Sequence, residues 1–448
     1  MSACSAGGGY KRSWVTKHRL AIVDLGCKVN QFEGEAMTEA MEAEGWEFVP
    51  FGAAADCTII NTCCVTARAQ ADSRRWIHRA RRANPHGILL AVGCYPQIAS
   101  QEVIALGADG VAGNQEKEAI PAIVEKLQQG KRGLIQVGKI KEAARPPDLS
   151  VHGFRNHTRA FLKVQDGCDA RCSYCIVPLA RGRSRSVSMA DVIASLKQLA
   201  TAGYREVVLT GIHLGAYGQD LNPRTTLVDL VHRIEEADTP TRIRLSSLEP
   251  QEATPELIAA IAASPKICPH FHLPLQSGAD HVLSRMNRPY TSAFFRDLVH
   301  QICDLLPDAA IGCDVIAGFP GEDDEAFEMT YDLLHDLPIS YLHCFPFSPR
   351  PGTKAAGLDG KVGERQKKER VQRLRALGME KRQTFYSRYL DQTISLLIEH
   401  RREGEMLRGL SRNYLFCLIE GGDELMGKEV QAVMYDVKQG RGVGRIVR

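Results

Sequence analysis

The sequence predicts an α/β protein built from three parts. Apolar strand-like runs alternate with helical patterns at the start of the chain, which predicts an α/β domain with a largely parallel sheet. Six further strand–helix units follow, too few for an eight-stranded barrel, and they predict a (β/α)6 partial barrel. Short strands separated by glycines then predict a small β-barrel. We place these domains at residues 18–140, 150–380 and 381–448.

Composition limits the class of protein further. The 448 residues are 44% hydrophobic and 24% charged, which is ordinary for a globular protein. No apolar run approaches the roughly 18 residues that a membrane helix needs, so we expect no membrane association. Residues 1–17 are predicted to be a disordered tail, because they contain glycines and basic residues without the apolar segment of a secretion signal. The 14 cysteines then favour a reducing, cytoplasmic location and metal ligation over disulfides.

Three predicted strands of the N-terminal domain each lead into a cysteine. The pairs are 20–23 with Cys27, 58–60 with Cys63, and 88–92 with Cys94. Because the carboxyl ends of parallel strands share one edge of a sheet, where ligands bind, these thiols are predicted to lie together. A cysteine is also often a small buried hydrophobe, and Cys57, which opens its strand, is predicted to be one. Cys64 competes with Cys63, and alternation alone does not decide between them.

Two helices of this domain carry polar signals. Asn30 with Glu33 three residues later matches a capping box and predicts a helix that opens there. A later helix is strongly basic, with Arg75, Arg79 and Arg82 on one face. That face is either simply solvated or a phosphate-binding surface. With a net charge of only +3, affinity for nucleic acid must come from such local patches.

The central domain follows a proline-containing linker at 141–147. Its predicted strands are 160–165, 206–210, 242–246, 270–275, 310–318 and 341–347. The helices between them are predicted at 188–202, 225–236, 254–263, 291–305 and 323–336. Histidines near these strand ends are more often satisfied polar residues than ligands, so we assign no metal to His213, His270, His272 or His343.

Three cysteines follow the first central strand at the spacing C-x3-C-x2-C, namely Cys168, Cys172 and Cys175. Such thiolates suit iron–sulfur clusters, zinc or copper(I). Structural zinc normally takes four protein ligands, and no other Cys or His lies in the next thirty residues. A four-iron cluster held by three cysteines keeps one iron open for a ligand that is not protein. Three arginines that follow are predicted to add positive charge at the mouth of this site: Arg181, Arg183 and Arg185.

This motif, with Tyr174 just before its last cysteine, resembles the cluster motif of radical S-adenosylmethionine (SAM) enzymes. The resemblance implies the radical SAM (β/α)6 fold and a [4Fe–4S] cluster on the three cysteines, with SAM bound at its open iron. In that superfamily, reductive cleavage of SAM yields a radical that abstracts hydrogen from unactivated carbon. It also suggests SAM contacts at Tyr174, Gly211, Glu249 and Gln276, although loop capping explains such polar side chains equally well. We assign no catalytic residue.

Segments around the N-terminal cysteines resemble signatures of the methylthiotransferase family of radical SAM enzymes. They are Leu25-Gly26-Cys27-Lys28-Val29-Asn30-Gln31, Asn61-Thr62-Cys63 and Gly93-Cys94-Tyr95. The resemblance implies a second [4Fe–4S] cluster on Cys27, Cys63 and Cys94, with SAM as methyl donor and radical source. It further implies a reductant protein of the flavodoxin or ferredoxin type and a sulfur donor.

The last part of the chain resembles the TRAM domain, an RNA-binding module of these methylthiotransferases. A basic helix is predicted at 362–388 and strands at 393–399, 414–419 and 429–437. Barrels of this kind commonly bind oligonucleotides. Tyr414 and Phe416 are predicted to stack on bases, and Arg408 and Arg412 to contact phosphates. The alternative is a barrel that only packs on the core.

The string from Cys27 to Gln31 most resembles the branch that acts on N6-threonylcarbamoyladenosine in tRNA. We therefore expect a methylthiotransferase that converts this nucleoside, at position 37 next to the anticodon, to its 2-methylthio derivative, with the tRNA anticodon stem-loop as partner. Branches acting on isopentenyladenosine in tRNA or on an aspartate of a ribosomal protein share the chemistry and stay open. The alternative of another class is a non-catalytic, metal-containing RNA-binding protein.

Overall fold

A six-stranded parallel sheet forms the N-terminal part of the computed structural model, which describes residues 17–155 and 157–447. Apart from Lys17, the predicted disordered tail lies outside the described residues. The strands are β1 (Arg19–Asp24), β2 (Glu47–Phe48), β3 (Cys57–Thr62), β4 (Ile88–Gly93), β5 (Gly110–Ala112) and β6 (Leu134–Gln136). The helices are α1 (Lys28–Ala43), α2 (Ala67–Ala83), α3 (Cys94–Ala105) and α4 (Ile120–Gln128).

The strand order places a ligand-binding edge between β1 and β3. Across the sheet the order is β2-β1-β3-β4-β5-β6, and every neighbouring pair is parallel. The chain leaves β1 toward one side of the sheet and returns past it to β3. Open α/β sheets bind ligands at the carboxyl ends of the strands beside such a switch point.

Helices cover both faces of this sheet. Met37 of α1 packs with Ile123 of α4 on one face, and Ile77 of α2 packs with Val103 of α3 on the other. Strands β3 and β4 are buried along their whole length, as expected for a parallel sheet covered on both sides. Cys57 joins the first of these cores, as predicted.

The predicted capping box in the first helix is wrong. Helix α1 begins at Lys28, and Cys27 occupies its N-cap position. The Asn30 side chain instead donates hydrogen bonds to the carbonyl oxygens of Leu25 (2.6 Å) and Thr62 (2.9 Å). Asn30 therefore ties α1 to the ends of the strands, which a local sequence pattern does not reveal.

Six parallel strands in two groups of three form the central partial barrel. In chain order the strands here are β7 (Arg159–Lys163), the short pair β8 (Gln165–Asp166) and β9 (Arg185–Ser186), β10 (Glu206–Thr210), β11 (Arg242–Leu245), β12 (His270–Gln276), β13 (Ala310–Ala317) and β14 (Tyr341–Pro346). The groups are β11-β10-β7 and β12-β13-β14. A backbone bridge between Ile243 and Ile267 links them.

The helices of the central part pack around the outside of this barrel. They are α5 (Val177–Arg181), α6 (Met189–Thr201), α7 (Leu227–Glu236), α8 (Pro255–Ala263), α9 (Asp280–Arg285), α10 (Ser292–Leu305), α11 (Asp324–Asp336) and α12 (Glu364–Ser387). Ile243, Phe271 and Cys313 belong to the apolar core under the helices, so alternate polar residues of the same strands face the lumen. Helix α1 lies against β7, and its Phe32 joins this core.

The C-terminal part is a closed five-stranded barrel. Its strands are β15 (Thr393–Glu403), β16 (Met406–Ser411), β17 (Phe416–Ile419), β18 (Glu429–Lys438) and β19 (Arg441–Ile446). The predicted fold class is confirmed, although β16 and β19 were not predicted from the sequence. Within the two described ranges, no helix combines the length and apolar character needed to cross a membrane.

Candidate functional site

Cys27, Cys63 and Cys94 converge at the carboxyl ends of β1, β3 and β4. Cys27 is exposed, whereas Cys63 and Cys94 are only 6% and 5% exposed. Burial and the neighbouring Cys94 raise the pKa of the Cys63 thiol to about 12. Gly26 has a φ of +95°, and a Cβ there would lie 2.8 Å from the Cys63 Sγ. The approach of these two strand ends therefore requires glycine at position 26.

Cys64 occupies a different environment from Cys63. It is fully buried in the apolar core on one face of the sheet, and its thiol donates to the carbonyl oxygen of Cys94 at 3.4 Å. A hydrogen bond from Cys64, aided by the charges of Arg181 and Lys117 against the effect of burial, lowers the pKa of the Cys94 thiol below its usual value. Cys64 thus supports the thiolate of Cys94 from behind.

A buried charged cluster joins the N-terminal sheet to the central barrel. Glu33 of α1 accepts hydrogen bonds from Lys117 (2.5 Å), Lys163 (2.9 Å) and both terminal nitrogens of Arg181 (2.9 and 3.0 Å). Arg181 also donates to Asp166 at 3.0 Å. Although burial opposes ionisation, Arg181, Lys117 and Lys163 hold the pKa of Glu33 well below its usual range. We call these five residues the Glu33 cluster.

The predicted positive mouth formed by three arginines is wrong. Arg181 and Arg185 are 1% and 3% exposed, whereas the Arg183 side chain is exposed. Arg185 donates to the Arg181 carbonyl oxygen at 2.6 Å and to Gln115 at 3.0 Å. Two of the three arginines therefore hold the domains together, because buried carboxylates and carbonyls of the interface need donors.

Cys168, Cys172 and Cys175 share the loop between β8 and α5, and all three are partly exposed. Burial, reinforced by the two neighbouring thiols, raises the pKa of Cys175 to about 12. Two side chains that the sequence analysis did not assign to the site contact this loop. The Arg288 Nη1 lies 3.2 Å from the Cys172 Sγ, and the His213 Nδ1 lies 3.5 Å from the Cys168 Sγ. Because both come from distant segments, no local pattern identifies them.

Both groups of thiols have the surroundings that an anionic thiolate-ligated cluster requires. Contacts with Cys168 and the Glu252 carboxylate outweigh burial and raise the pKa of His213 to about 10, so it carries a positive charge. Arg181 and Lys117 supply positive charge beside Cys94. Each group has three soft donors rather than the four of a closed zinc site. The residues present therefore fit a cluster with one open metal position at each group.

Asn114 connects the two groups of cysteines. Its Nδ2 donates to the carbonyl oxygen of Ala180 at 2.8 Å and lies 3.5 Å from the Cys94 Sγ. Ala180 belongs to α5, which follows the Cys168–Cys175 loop, and both Ala180 and Ile176 pack in the core of the N-terminal sheet. The loop is thus anchored to the sheet that carries the other three cysteines.

Of the predicted SAM contacts, Tyr174 belongs to this loop and Glu249 lies beside it. The Glu249 carboxylate is bonded to Arg288, which also contacts Cys172. The Tyr174 ring packs edge-on against Phe319, with centroids 6.3 Å apart. Their roles as SAM contacts stay predictions.

The other two predicted SAM contacts lie at strand ends. A Cβ at Gly211 would lie 2.9 Å from the Oε1 of Gln165, whose Nε2 donates to the Gly167 carbonyl oxygen at 2.8 Å, at the start of the cysteine loop. Gln276 ends β12 with a φ of 69° and is 9% exposed. Gly211 therefore allows close packing beside the loop, and its contact with SAM, like that of Gln276, stays a prediction.

The lumen of the central barrel is polar. The Asp314 Oδ1 lies 2.9 Å from the His272 Nε2 and 3.2 Å from the His343 Nδ1. The Tyr341 hydroxyl lies 2.8 Å from the His270 Nε2 and 3.2 Å from the His272 Nδ1. Burial alone would raise the pKa of Asp314, but hydrogen bonds from His272 and His343 hold it well below its usual range. One carboxylate thus orients two imidazoles inside the barrel.

The C-terminal barrel closes one end of this lumen. Tyr414, with a φ of 67°, places its ring 4.4 Å from that of His270 and 5.6 Å from that of Tyr341. Arg244 donates to Glu206 and to the Arg412 carbonyl oxygen, each at 2.8 Å. We call this end of the lumen, formed by these six residues, the lumen floor.

The structure does not leave the predicted RNA contacts of this barrel free. The stacking role of Tyr414 is wrong because its ring packs in the lumen floor. The phosphate role of Arg412 is wrong as well, since its guanidinium donates to the carbonyl oxygen of Thr241 at 2.9 Å. Arg408 pairs with Glu399 at 2.8 Å and lies 4.3 Å from the Phe416 ring. These side chains dock or stabilise the barrel.

The basic face of α2 is present as predicted. Arg75, Arg79 and Arg82 line a surface cavity of about 480 Å³ together with Trp76 and His78. The Arg79 guanidinium lies 4.7 Å from the Trp76 ring. Contact between this groove and phosphate stays a prediction.

Lys28, directly after Cys27, is the first residue of α1 and is half-buried. Burial and the positive charges of Arg159 and Arg244 lower its pKa to about 8. Its charge in turn acts with burial and Arg244 to lower the pKa of His270. Within the part of the chain that the structure describes, the Lys28 ammonium makes no hydrogen bond or ion pair.

Family comparisons divide the chain in the same way as the fold. Residues 19–113 match a model described as Uncharacterized protein family UPF0004, and residues 162–334 match the Radical SAM superfamily. Among solved structures, the radical S-adenosylmethionine methyltransferase TsrM from Kitasatospora setae superposes with a TM-score of 0.57 at 17% identity. The match covers 76% of this chain and 75% of that one, and it concerns the fold.

Curated relatives extend over nearly the whole chain. Threonylcarbamoyladenosine tRNA methylthiotransferase MtaB from Bacillus subtilis (strain 168) is 38% identical over 437 residues and covers 96% of both chains. MtaB from Aquifex aeolicus (strain VF5) is 40% identical and covers 93% of this chain and 100% of that protein. A tRNA-2-methylthio-N(6)-dimethylallyladenosine synthase from Pelotomaculum thermopropionicum is 32% identical and covers 91% and 93%.

Proposed function

The chain belongs to the methylthiotransferase family of radical SAM enzymes, and on that premise we propose that it methylthiolates N6-threonylcarbamoyladenosine at position 37 of tRNA. The observation that carries this function is the identity of 38–40% to two such methylthiotransferases over at least 93% of the chain. The relative that acts on dimethylallyladenosine is 32% identical, so that activity is the second candidate.

We assign each group of cysteines to one [4Fe–4S] cluster. Cys168, Cys172 and Cys175 would hold the cluster that binds SAM, and Cys27, Cys63 and Cys94 the second. When bound, these groups supply the radical and the methylthio group that the reaction needs. We choose Cys63 over Cys64 because the Cys63 Sγ faces Gly26, whereas Cys64 is buried behind Cys94.

Other residues of the chain orient the cysteine side chains and stabilise their thiolate forms. Arg288 donates to the Cys172 sulfur and to the Glu249 carboxylate. We propose that Glu249 would accept a hydrogen bond from the ammonium group of SAM. His213, as a cation beside Cys168, stabilises the anionic form of that thiol. Asn114 does the same for Cys94 while holding α5 in place. These contacts with the cysteine sulfurs set the basicity and the orientation of the thiolate ligands.

The proposed reaction requires an electron donor, a sulfur donor and a surface that binds tRNA. A flavodoxin- or ferredoxin-type protein would deliver electrons, and a separate donor would replace the sulfur consumed. The groove of Arg75, Arg79 and Arg82 is the basic surface that we assign to the tRNA backbone, because guanidinium groups match phosphate oxygens. Because tRNA is the proposed substrate, we propose that the protein acts in the cytoplasm.

Anaerobic reconstitution with SAM, reductant and bulk tRNA, followed by mass analysis of the nucleosides, tests this function. We expect the 2-methylthio derivative of N6-threonylcarbamoyladenosine, and none with the Cys172→Ala variant. Methylthiolated isopentenyladenosine as the only product would support the second candidate. An unchanged nucleoside profile, without cleavage of SAM, would contradict both and favour a non-catalytic RNA-binding protein.

A further inference from the structure

We propose that His272, Asp314 and His343 form a binding site for a divalent first-row transition metal ion, such as Zn²⁺, inside the central barrel. The sequence context of the two histidines gave no reason to assign them a metal, but the structure places a carboxylate between them. These residues lie outside both groups of cysteines, so the proposal does not depend on the proposed function. The strand register, the distances between the donor atoms and the hydrogen bonds behind them support it.

Three neighbouring strands bring the donors to one level of the lumen. In the register of β13 and β14, Asp314 pairs directly with His343. In the register of β12 and β13, His272 pairs with Gly312, two residues before Asp314. Because side chains alternate along a strand, Gly312 and Asp314 lie on the same face of the sheet. Strands rather than mobile loops therefore position all three donors.

The donor atoms lie at separations that neighbouring ligands of one metal ion have. The Asp314 Oδ1 lies 2.9 Å from the His272 Nε2 and 3.2 Å from the His343 Nδ1, and the three atoms lie within 4.8 Å of one another. Metal–ligand bonds of about 2.0–2.2 Å place neighbouring nitrogen and oxygen ligands about 3 Å apart. Two imidazoles and one carboxylate form a donor set that zinc and divalent iron accept. An ion would therefore bind with only small shifts of these side chains.

Tyr341 orients His272 from behind. Its hydroxyl lies 2.8 Å from the His270 Nε2 and 3.2 Å from the His272 Nδ1. A hydroxyl has one proton, so when Tyr341 donates it to His270, the His272 Nδ1 must donate to the Tyr341 oxygen. The His272 Nε2 then faces the Asp314 carboxylate and needs a cation between them, either a second proton or a metal ion. Histidines that bind metals usually have their other ring nitrogen held in this way.

The site is open on one side. The His343 side chain is 49% exposed and that of Asp314 is 25% exposed, whereas His272 is buried. His343 also lines a cavity of about 110 Å³ together with Tyr341 and Arg382. An ion can therefore reach the donors from solvent. Three protein donors leave at least one coordination position for water or an oxygen atom of a bound ligand, which is typical of catalytic rather than structural sites.

Equilibrium dialysis of the cluster-loaded protein against Zn²⁺ under anaerobic conditions tests the proposal. We expect wild type to bind one zinc ion per chain beyond its clusters, with a dissociation constant in the micromolar range or below. Tyr341→Phe should weaken zinc binding by about tenfold to hundredfold, the usual effect of losing a contact behind a ligand. His343→Ala and Asp314→Asn should weaken it further, because each changes a ligand itself.

X-ray absorption at the zinc edge separates this site from the cysteines. We expect nitrogen and oxygen donors at about 2.0–2.2 Å and no sulfur at about 2.3 Å. A shell that contains sulfur would place the zinc on cysteine thiolates and would contradict the proposal.

Controls show whether a variant loses the site or its fold. His300→Ala removes an exposed histidine of α10 and should bind zinc like wild type. Iron content and circular dichroism report on the clusters and the fold, and Asp314→Asn, which keeps the size of the side chain, decides if His343→Ala does not fold. Absence of zinc beyond the clusters in wild type, or unchanged affinity in the folded ligand variants, would overturn the proposal and leave the three residues as a hydrogen-bonded group.

Discussion

The two groups of cysteines differ in how the chain brings them together. Cys168, Cys172 and Cys175 lie in one loop, so their proximity is encoded locally. Cys27, Cys63 and Cys94 follow three strands, and only the parallel order of β1, β3 and β4 brings them together. The local group should therefore survive changes elsewhere in the fold, whereas the dispersed group should depend on the sheet and on α1.

Their surroundings differ in a second way. The dispersed group lies beside the fully buried Glu33 cluster, whose charged side chains pair across the interface between the N-terminal sheet and the central barrel. The local group is contacted by Arg288 and His213 on a partly exposed loop. Substitutions near the dispersed group should thus impair the assembly of its site, whereas substitutions near the local group should change the reactivity of its thiolates.

Removing one cysteine ligand from each group should separate two roles completely, SAM cleavage by the local group and methylthiolation by the dispersed group. Cys172→Ala should abolish SAM cleavage, measured as 5′-deoxyadenosine, because the local cluster is lost. Cys94→Ala should retain cleavage but form no methylthiolated nucleoside. Each variant should lose about four irons per chain, the content of one cubane. Loss of SAM cleavage in both variants, with normal folding of both, would contradict separate roles.

The neighbouring thiols Cys63 and Cys64 offer a matched pair for the dispersed group. Cys63→Ser should lose the second cluster and all product formation, whereas Cys64→Ser should keep both the iron and most of the activity. The physical reason is that the Cys63 sulfur lies beside Gly26 at the strand ends, whereas Cys64 is fully buried in the apolar core and donates to the Cys94 carbonyl oxygen. Iron analysis and visible absorption check this, and the opposite pattern would assign the ligand to Cys64.

Neutralising Glu33 should weaken the interface that supports the dispersed group. Glu33→Gln leaves Lys117 without its carboxylate partner and leaves Arg181 and Lys163 to share Asp166 in a buried site, which we expect to cost about 3–5 kcal/mol of unfolding free energy. Denaturant unfolding measures this. Glu142→Gln removes an exposed pair with Lys139 and should change stability by less than about 1 kcal/mol. Similar effects of the two variants would contradict a special role for the cluster.

Acid should weaken the junction between the barrels through Glu206. Burial raises its pKa, but Arg244, Arg242 and Arg159 outweigh it and lower the value from 4.5 to about 2. A depressed pKa gives stability that is complete above the unfolded value and is lost as pH falls toward the folded value. This corresponds to at most about 3 kcal/mol lost between pH 4.5 and 2. Denaturant titrations across this range should show a smaller further loss for Glu206→Gln than for wild type.

The smallest expected effect concerns Arg288 and the local group. Arg288→Met removes a charged donor 3.2 Å from the Cys172 sulfur, so the reduced, more negative cluster loses stabilisation. The reduction potential of that cluster should become more negative while its iron content stays the same. A redox titration followed by electron paramagnetic resonance measures the shift, and an unchanged potential would show that the contact has no electronic effect.

Sequence patterns predicted what depends on neighbouring residues or on a simple strand edge. The spacing of Cys168, Cys172 and Cys175 identified the local group, and the strand-to-cysteine sequence placed Cys27, Cys63 and Cys94 together. The patterns failed where contacts between residues distant in the sequence determine the position of a side chain. Arg181 and Tyr414 were expected at the surface, and both are instead used between domains. Arg288 could not be identified, because nothing in its own segment indicates contact with Cys172.

Asn114 links Cys94 to α5, so the two clusters that we assign to the cysteine groups should lie close together. Electron paramagnetic resonance of the reduced protein tests this proximity most directly. We expect a wild-type spectrum split or broadened by spin–spin interaction, unlike the sum of the spectra of Cys94→Ala and Cys172→Ala. A wild-type spectrum equal to that sum would mean that the clusters are magnetically isolated, and it would contradict their proximity.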